Sequence, residues 1–202
     1  MIKEFLECKI SEQNEFRSDF MCSINNIDLE SIYIKGIRRS GIKLDTGACG
    51  TLIPLRTLGW TNTQIENFVE ETYRLNKYAF SVVHGVENNN RQSQNNILRM
   101  TLNEIKQFRG LAIKIKAAKI IVGNFEFNNI DLRVTTQTEA NILLGMDIMK
   151  NWDIHIGQSK ITEECMFIAC PYDKINDDYL LALESHFGTG TAVNSALVRK
   201  LL

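Results

Sequence analysis

The chain has 202 residues, 44% hydrophobic and 23% charged, which is too apolar for an intrinsically disordered protein and long enough to bury a core without disulfide or metal staples. Its 23 basic and 24 acidic side chains leave a net charge of −1, without the basic excess that a phosphate backbone demands, so no nucleic-acid partner is expected. No run approaches the roughly 20 apolar residues of a spanning helix, and the opening MIKEFLECKISEQNEF lacks the apolar core of a secretory signal, so no membrane partner and a reducing, cytoplasmic setting are expected.

The five cysteines, Cys8, Cys22, Cys49, Cys165 and Cys170, are odd in number and scattered, which does not read as a disulfide framework. Cys165 and Cys170 have no second Cys or His pair at zinc-like spacing, and neither a metal nor another cofactor is expected. Along the chain, Ile32 and Ile34 and then Gly41 to Leu44 flank the turn-like Arg38-Arg39-Ser40-Gly41, which predicts a hairpin. Thr63-Gln64-Ile65-Glu66 fits a capping box, and Ile65, Phe68, Val69, Thr72 and Tyr73 recur on one face of the helix that follows. Tyr78 to Val82 reads as a strand. Glu87 to Asn96, ENNNRQSQNN, is too polar for a core and reads as a solvated loop or as a mobile arm over a site.

Ile113 to Lys116 alternates, Lys119 to Val122 is a buried-type run, and Gly123-Asn124 before Phe125-Glu126-Phe127 predicts a two-residue hairpin turn, with glycine supplying the positive φ. Ile130 to Val134 alternates again. A short helix is expected over Met146 to Asn151 and a boundary at Pro171, after the hydrophobic run Cys165 to Cys170. Beyond it, Ile175, Tyr179, Leu180 and Leu183 predict an amphipathic helix, and Ser195 to Leu202 another. Mostly strands with one or two helices point to a small β-barrel-like domain with a helical appendage.

The stretch richest in chemistry is Ile42-Lys43-Leu44-Asp45-Thr46-Gly47-Ala48-Cys49-Gly50-Thr51-Leu52-Ile53-Pro54. An apolar strand ends in an acid, a hydroxyl and a glycine. Gly47 lets the backbone bend tightly and bring its amide near the carboxylate, and the Thr46 hydroxyl both donates and accepts. Taken alone, such a sequence is equally an Asx-turn. Its flanks go further. The pattern apolar-apolar-Asp-Thr-Gly-Ala-x-x-Thr-apolar-apolar-Pro resembles the active-site loop of retropepsin-like aspartic proteases. Downstream, Ile142-Leu143-Leu144-Gly145 within Ala140 to Met149 resembles the family's apolar-Gly segment, which threads beside that loop and opens a helix. The Leu144-Gly145-Met146-Asp147 form is closer to retrotransposon and bacterial members than to viral ones.

The resemblance covers roughly residues 28–160. It implies a mainly β, closed β-barrel-like retropepsin fold with one or two short helices, Trp152 to Ile156 being the terminal strand. The protease domain would span 28–160, flanked by an N-terminal extension over 1–27 and a C-terminal strand and helical extension over 161–202. The chain holds one Asp-Thr-Gly, whereas aspartic proteolysis needs two facing carboxylates that share a proton. A C2 homodimer is therefore expected, an endopeptidase in which Asp45 of each subunit helps activate one water against a peptide bound in extended form. By the same resemblance Thr46 bonds across the dimer, Gly47 faces the carboxylate and the substrate backbone, and Ala48 lines the groove.

Val83-His84-Gly85-Val86 is the candidate flap tip, His84 being otherwise an exposed loop histidine. Cys49 and Gly50 follow Ala48 where viral members place acids, and Glu139-Ala140-Asn141 precede the apolar run, so no Asp–Arg support pair of the viral sort is expected. Cys49 is expected as a small buried filler, or else as a redox-sensitive thiol. Two further readings stand: a catalytically inactive retropepsin-fold dimerisation or peptide-binding module, and a monomeric precursor whose termini cover the groove until removed.

Overall fold

Alternation sets the faces of the larger sheet. Ile42 and Leu44 are buried while Lys43 between them is only partly so, Leu132, Arg133 and Val134 repeat that pattern, and between the buried Ile113 and Ile115 Lys114 is exposed. The computed structural model describes residues 4–11, 15–25, 38–45, 48–83, 94–108, 110–115, 117–123, 125–128, 130–136 and 141–201. In chain order the elements are β1 (Leu6–Lys9), β2 (Glu15–Asn25), β3 (Arg38–Leu44), β4 (Leu52–Pro54), α1 (Asn62–Leu75), β5 (Phe80–Val82), α2 (Gln94–Ile97), α3 (Leu102–Gln107), β6 (Leu111–Ile115), β7 (Ala117–Val122), β8 (Phe125–Phe127), β9 (Leu132–Thr135), β10 (Ile142–Leu144), α4 (Met146–Met149), β11 (Trp152–Gln158), β12 (Cys165–Pro171), α5 (Asp177–Phe187) and α6 (Thr189–Leu201).

The protein is mainly β. A nine-stranded sheet runs in the order β5-β6-β9-β4-β10-β3-β2-β7-β8, and a three-stranded sheet in the order β1-β12-β11. Within the larger sheet β10 lies parallel to β3 and β4 parallel to β9. The pairings do not close the expected barrel: among the described residues β5 and β8 are two separate edges. The strands nearest the two ends of the chain pair with one another instead, Leu6 opposite Ala169 and Lys9 opposite Met166. The expected boundary after residue 27 lies outside the described residues; on its near side β2 pairs with both β3 and β7. Beyond residue 160, β12 pairs with β11 along seven positions.

Two local readings of the sequence are corrected. Arg38-Arg39-Ser40-Gly41 is not a turn but the first half of β3, held in register against β2 with Phe20 opposite Arg38 and Arg17 opposite Gly41. Pairing along a long strand overrides local turn preference; Ile32 and Ile34 lie outside the described residues. The capping box belongs to Thr61 and Gln64, not Thr63 and Glu66. Both pairs satisfy the spacing, and Trp60 decides between them: buried just before the cap, it packs edge-on against Phe68 with ring centroids 5.4 Å apart, fixing the helix entry at Asn62. The expected apolar face is present, with Ile65, Phe68, Val69 and Thr72 buried. The Gly123 turn also forms: Val122 and Phe125 are partners, and Gly123 has φ 57°.

The helices after Pro171 pack on the three-stranded sheet through buried polar contacts. Tyr179 is fully buried, and its hydroxyl donates to the Asp153 carbonyl and to Asp153 Oδ2, each at 3.1 Å. His155 Nε2 lies 3.2 Å from Asp153 Oδ1 and 3.0 Å from Ser195 Oγ on α6. On α5, His186 meets Ser159 Oγ at 2.8 Å and Glu7 Oε1 at 3.2 Å. Burial by itself pushes the Asp153 carboxyl up, but hydrogen bonds from His155, Ser195 and Tyr179 outweigh it and hold the group below the usual carboxylate range.

An acid titrating below its unfolded value stabilises the fold fully above about pH 4 and loses that contribution as the pH falls through its native value. The urea midpoint of the native chain therefore falls as the pH drops below about 4, and Asp153→Asn flattens that part of the profile; equal slopes in both proteins would refute the assignment.

Candidate active site

Asp45 follows the last residue of β3 and lines a cleft. Its backbone N–H donates to the Leu144 carbonyl at 3.1 Å, and its own carbonyl accepts from Ala48 N at 3.1 Å, so the turn after the acid is fixed at both ends. The Ala48 carbonyl in turn accepts from Met146 N at 2.9 Å. The segment from Ile142 to Gly145 thus threads beside the Asp45 turn. Ile142, Leu144 and Gly145 are buried, and Leu143 faces the cleft. Thr46 and Gly47 lie outside the described residues.

The reason for a glycine at 145 is contact. A Cβ built there would stand 2.5 Å from the Gly50 carbonyl carbon, 2.7 Å from its oxygen and 2.8 Å from Thr51 N, all backbone atoms that a side chain cannot displace cheaply. Hydrogen bonds fill the remaining space. Gly145 N donates to Thr51 Oγ1 at 3.1 Å, and that hydroxyl donates to Asp147 Oδ1 at 2.7 Å. Thr51 N donates to Asp147 Oδ2 at 2.8 Å, and Ile148 N to Asp147 Oδ1 at 2.9 Å. Thr51 is fully buried. Asp147, in the first turn of α4, therefore ties the strand after the Asp45 turn to the segment after β10. Sequence reasoning assigned neither residue a role; the signals were the threonine closing the loop motif and an acid two places after the glycine.

The cleft has a volume of about 500 Å³ and is lined by Asp45, Ala48, Cys49, Gly50, Leu52, Val83, Arg133 and Leu143. Val83, the residue after β5, lines it, its N–H donating to the Gly110 carbonyl at 2.8 Å. The other candidate flap residues, His84, Gly85 and Val86, lie outside the described residues, as does the polar run up to Ser93; Gln94 to Asn96 open α2. Cys49 is exposed, which corrects the expected buried filler. The inner side of its turn is taken by the contact between Gly50 and Gly145, so Cys49 is left at the cleft wall. Among the described residues no group of three or more His, Cys, Asp and Glu side chains is placed to hold a metal ion, and no helix is long and apolar enough to cross a membrane.

No protein-family model matches the sequence, and no curated protein is significantly similar to it. Among solved structures, a crystal structure of a retropepsin-like aspartic protease from Rickettsia conorii superposes with a TM-score of 0.36 and 15% identity, over 82% of this chain and 92% of that one. So low an overlap carries no argument, and the functional reading rests on the residues themselves.

Gly145→Ala is expected to cost about 1–3 kcal/mol by overpacking against backbone. Asp147→Ala is expected to cost a similar ~1–3 kcal/mol by leaving the buried Thr51 N–H without an acceptor. Urea unfolding of each variant checks both; a change below about 0.5 kcal/mol in either would show that the contact is not what holds the Asp45 turn.

Proposed function

We propose that the chain is a retropepsin-like aspartic endopeptidase that works in the cytoplasm as a homodimer, hydrolysing peptide bonds with a water activated by two Asp45 carboxylates, one from each subunit. The observation that carries this reading is the placement of one acid. Asp45 lines the cleft of about 500 Å³, ahead of a turn held by Ala48, Leu144 and Met146, within an Asp-Thr-Gly-Ala sequence. An acid at a fixed position in a groove is what general acid–base hydrolysis requires.

One carboxylate is half of that chemistry. Two acids held close cannot both ionise, so the pair keeps one proton; the ionised member takes a proton from water while the neutral member donates to the scissile carbonyl. With a single Asp-Thr-Gly per chain, the second acid comes from a second copy across a two-fold axis. In this reading Thr46 bonds across the dimer to the partner loop, Gly47 faces the carboxylate and the substrate backbone, and Ala48 lines the groove. Val83 to Val86 form the covering flap. Substrate lies extended between flap and floor, where the apolar Leu52 and Leu143 offer packing and strand-like hydrogen bonding gives affinity. The activity then belongs to the pair, with a bell-shaped pH dependence whose two limbs report the dyad rather than either residue.

Asp45→Asn is expected to lower cleavage of a peptide library at least about a thousandfold while leaving the circular dichroism spectrum and the sedimentation coefficient unchanged. Specific activity of the native chain rises with protein concentration, and excess Asp45→Asn chain suppresses it through mixed dimers. Cleavage by a strictly monomeric species, or pepstatin-insensitive cleavage retained in Asp45→Asn, would overturn the assignment. A dimer that binds peptides and never cuts them would leave the inactive binding module instead.

A further inference from the structure

The face of the large sheet that carries Asp45 also carries three cations that hydrolysis does not require. A transverse row crosses five strands, from Lys43 on β3 through Leu143, Leu52 and Arg133 to Lys114 on β6, each residue the register partner of the next. Partners in register share a face, and Asp45, two residues beyond Lys43, shares it too. Arg133 lines the Asp45 cleft. A second hollow of about 400 Å³ shares Cys49, Gly50 and Arg133 with it and reaches Lys114.

Like charges directly opposed in an antiparallel pair are destabilising. Among the described residues neither Arg133 nor Lys114 is in an ion pair that would relieve this. Two acids also line the second hollow. Asp147 is engaged by Thr51 and Ile148, and Asp131 is exposed and makes no ion pair with either cation. Arg133 is anchored, because its backbone N–H donates to the Thr51 carbonyl at 3.1 Å. Its Cα is therefore fixed relative to the strand that follows the Asp45 turn.

We infer that Arg133, with Lys114 beside it, selects substrates that carry an Asp or Glu side chain close to the bond that is cut; the inference rests on the endopeptidase reading above. A guanidinium presents a planar fork that matches a carboxylate at two points. Neighbouring strands are about 4.8 Å apart, so three steps from β3 to β9 place Arg133 roughly 14 Å across the sheet from the Asp45 strand. An extended peptide advances about 3.4 Å per residue, which puts the selected acid within about four residues of the scissile bond.

Two measurements on the full chain separate this inference from the reading beneath it. In a peptide-library digest, cleaved sequences are expected to be enriched in Asp and Glu at one position within four residues of the cut, and Arg133→Gln and Lys114→Gln to reduce that enrichment. Cleavage with no acidic enrichment overturns the inference and leaves the endopeptidase standing. Absence of any cleavage overturns the endopeptidase, and a binding measurement then decides the inference by itself. Fluorescence anisotropy of the Asp45→Asn chain is read with two peptides differing only in Glu against Gln. Binding of the Glu peptide about tenfold tighter, with the difference lost in the double variants carrying Arg133→Gln or the exposed Lys114→Gln, supports the inference; equal affinities refute it.

Discussion

The site depends on how closely β10 approaches the strand that follows Asp45. With Gly145 less than van der Waals distance from where any side chain would meet Gly50 and Thr51, β10 can pair parallel to β3 on one side and antiparallel to β4 on the other. That insertion puts the Leu144 carbonyl where it receives the Asp45 N–H. Remove the close approach and the Asp45 turn loses its support from beneath. The hydrogen bonds around Thr51 each contribute only about 1 kcal/mol net, but their geometry is enforced by the larger cost of leaving a buried donor unmet.

The same pairing decides which side of the sheet is chemical. Inward residues of β3, β10, β9 and β6 are Ile, Leu and Val, buried against the core; outward ones are Lys43, Leu143, Arg133 and Lys114. Of these outward residues Leu143 and Arg133 line the cleft together with Val83 and the Asp45 turn. The acid therefore shares its cleft with the apolar Leu52 and Leu143 and with the charge of Arg133.

Much of this was legible in the sequence, for reasons that differ by residue. The Asp45 loop and the Gly145 segment were readable because tight turns and close backbone approach restrict residue type in short, contiguous patterns. The Gly123 hairpin and the buried face of α1 follow from equally local rules. Thr51 and Asp147 were not read as partners because 96 residues separate them and neither side chain is unusual where it stands. The same limit hid the pairing of β1 with β12 and made Arg38 to Gly41 resemble a turn: strand register is a non-local property, and local preference yields to it. Cys49 was misjudged because burial of free cysteines is a tendency of cores, whereas its turn is filled by backbone from the other segment.

The helices after Pro171 belong to the core rather than hang from it. Ile175, Tyr179 and Leu183 are buried in the same apolar cluster as Ile42 and Leu144 of the central sheet strands. The face of β11 that they cover is polar, carrying Asp153 and His155, and its hydrogen bonds are completed by Tyr179 and Ser195. Stripping these helices would expose apolar side chains and leave Asp153 without the Tyr179 and Ser195 donors that help hold its charge. Meanwhile the residues lining the Asp45 cleft come from β4, β9 and β10, the Asp45 turn and Val83, with none from α5 or α6. A tail that stabilises the fold but does not line the groove is poorly placed to act as a removable plug. Cleavage that detached it would be expected to unfold the sheet beneath rather than open the site.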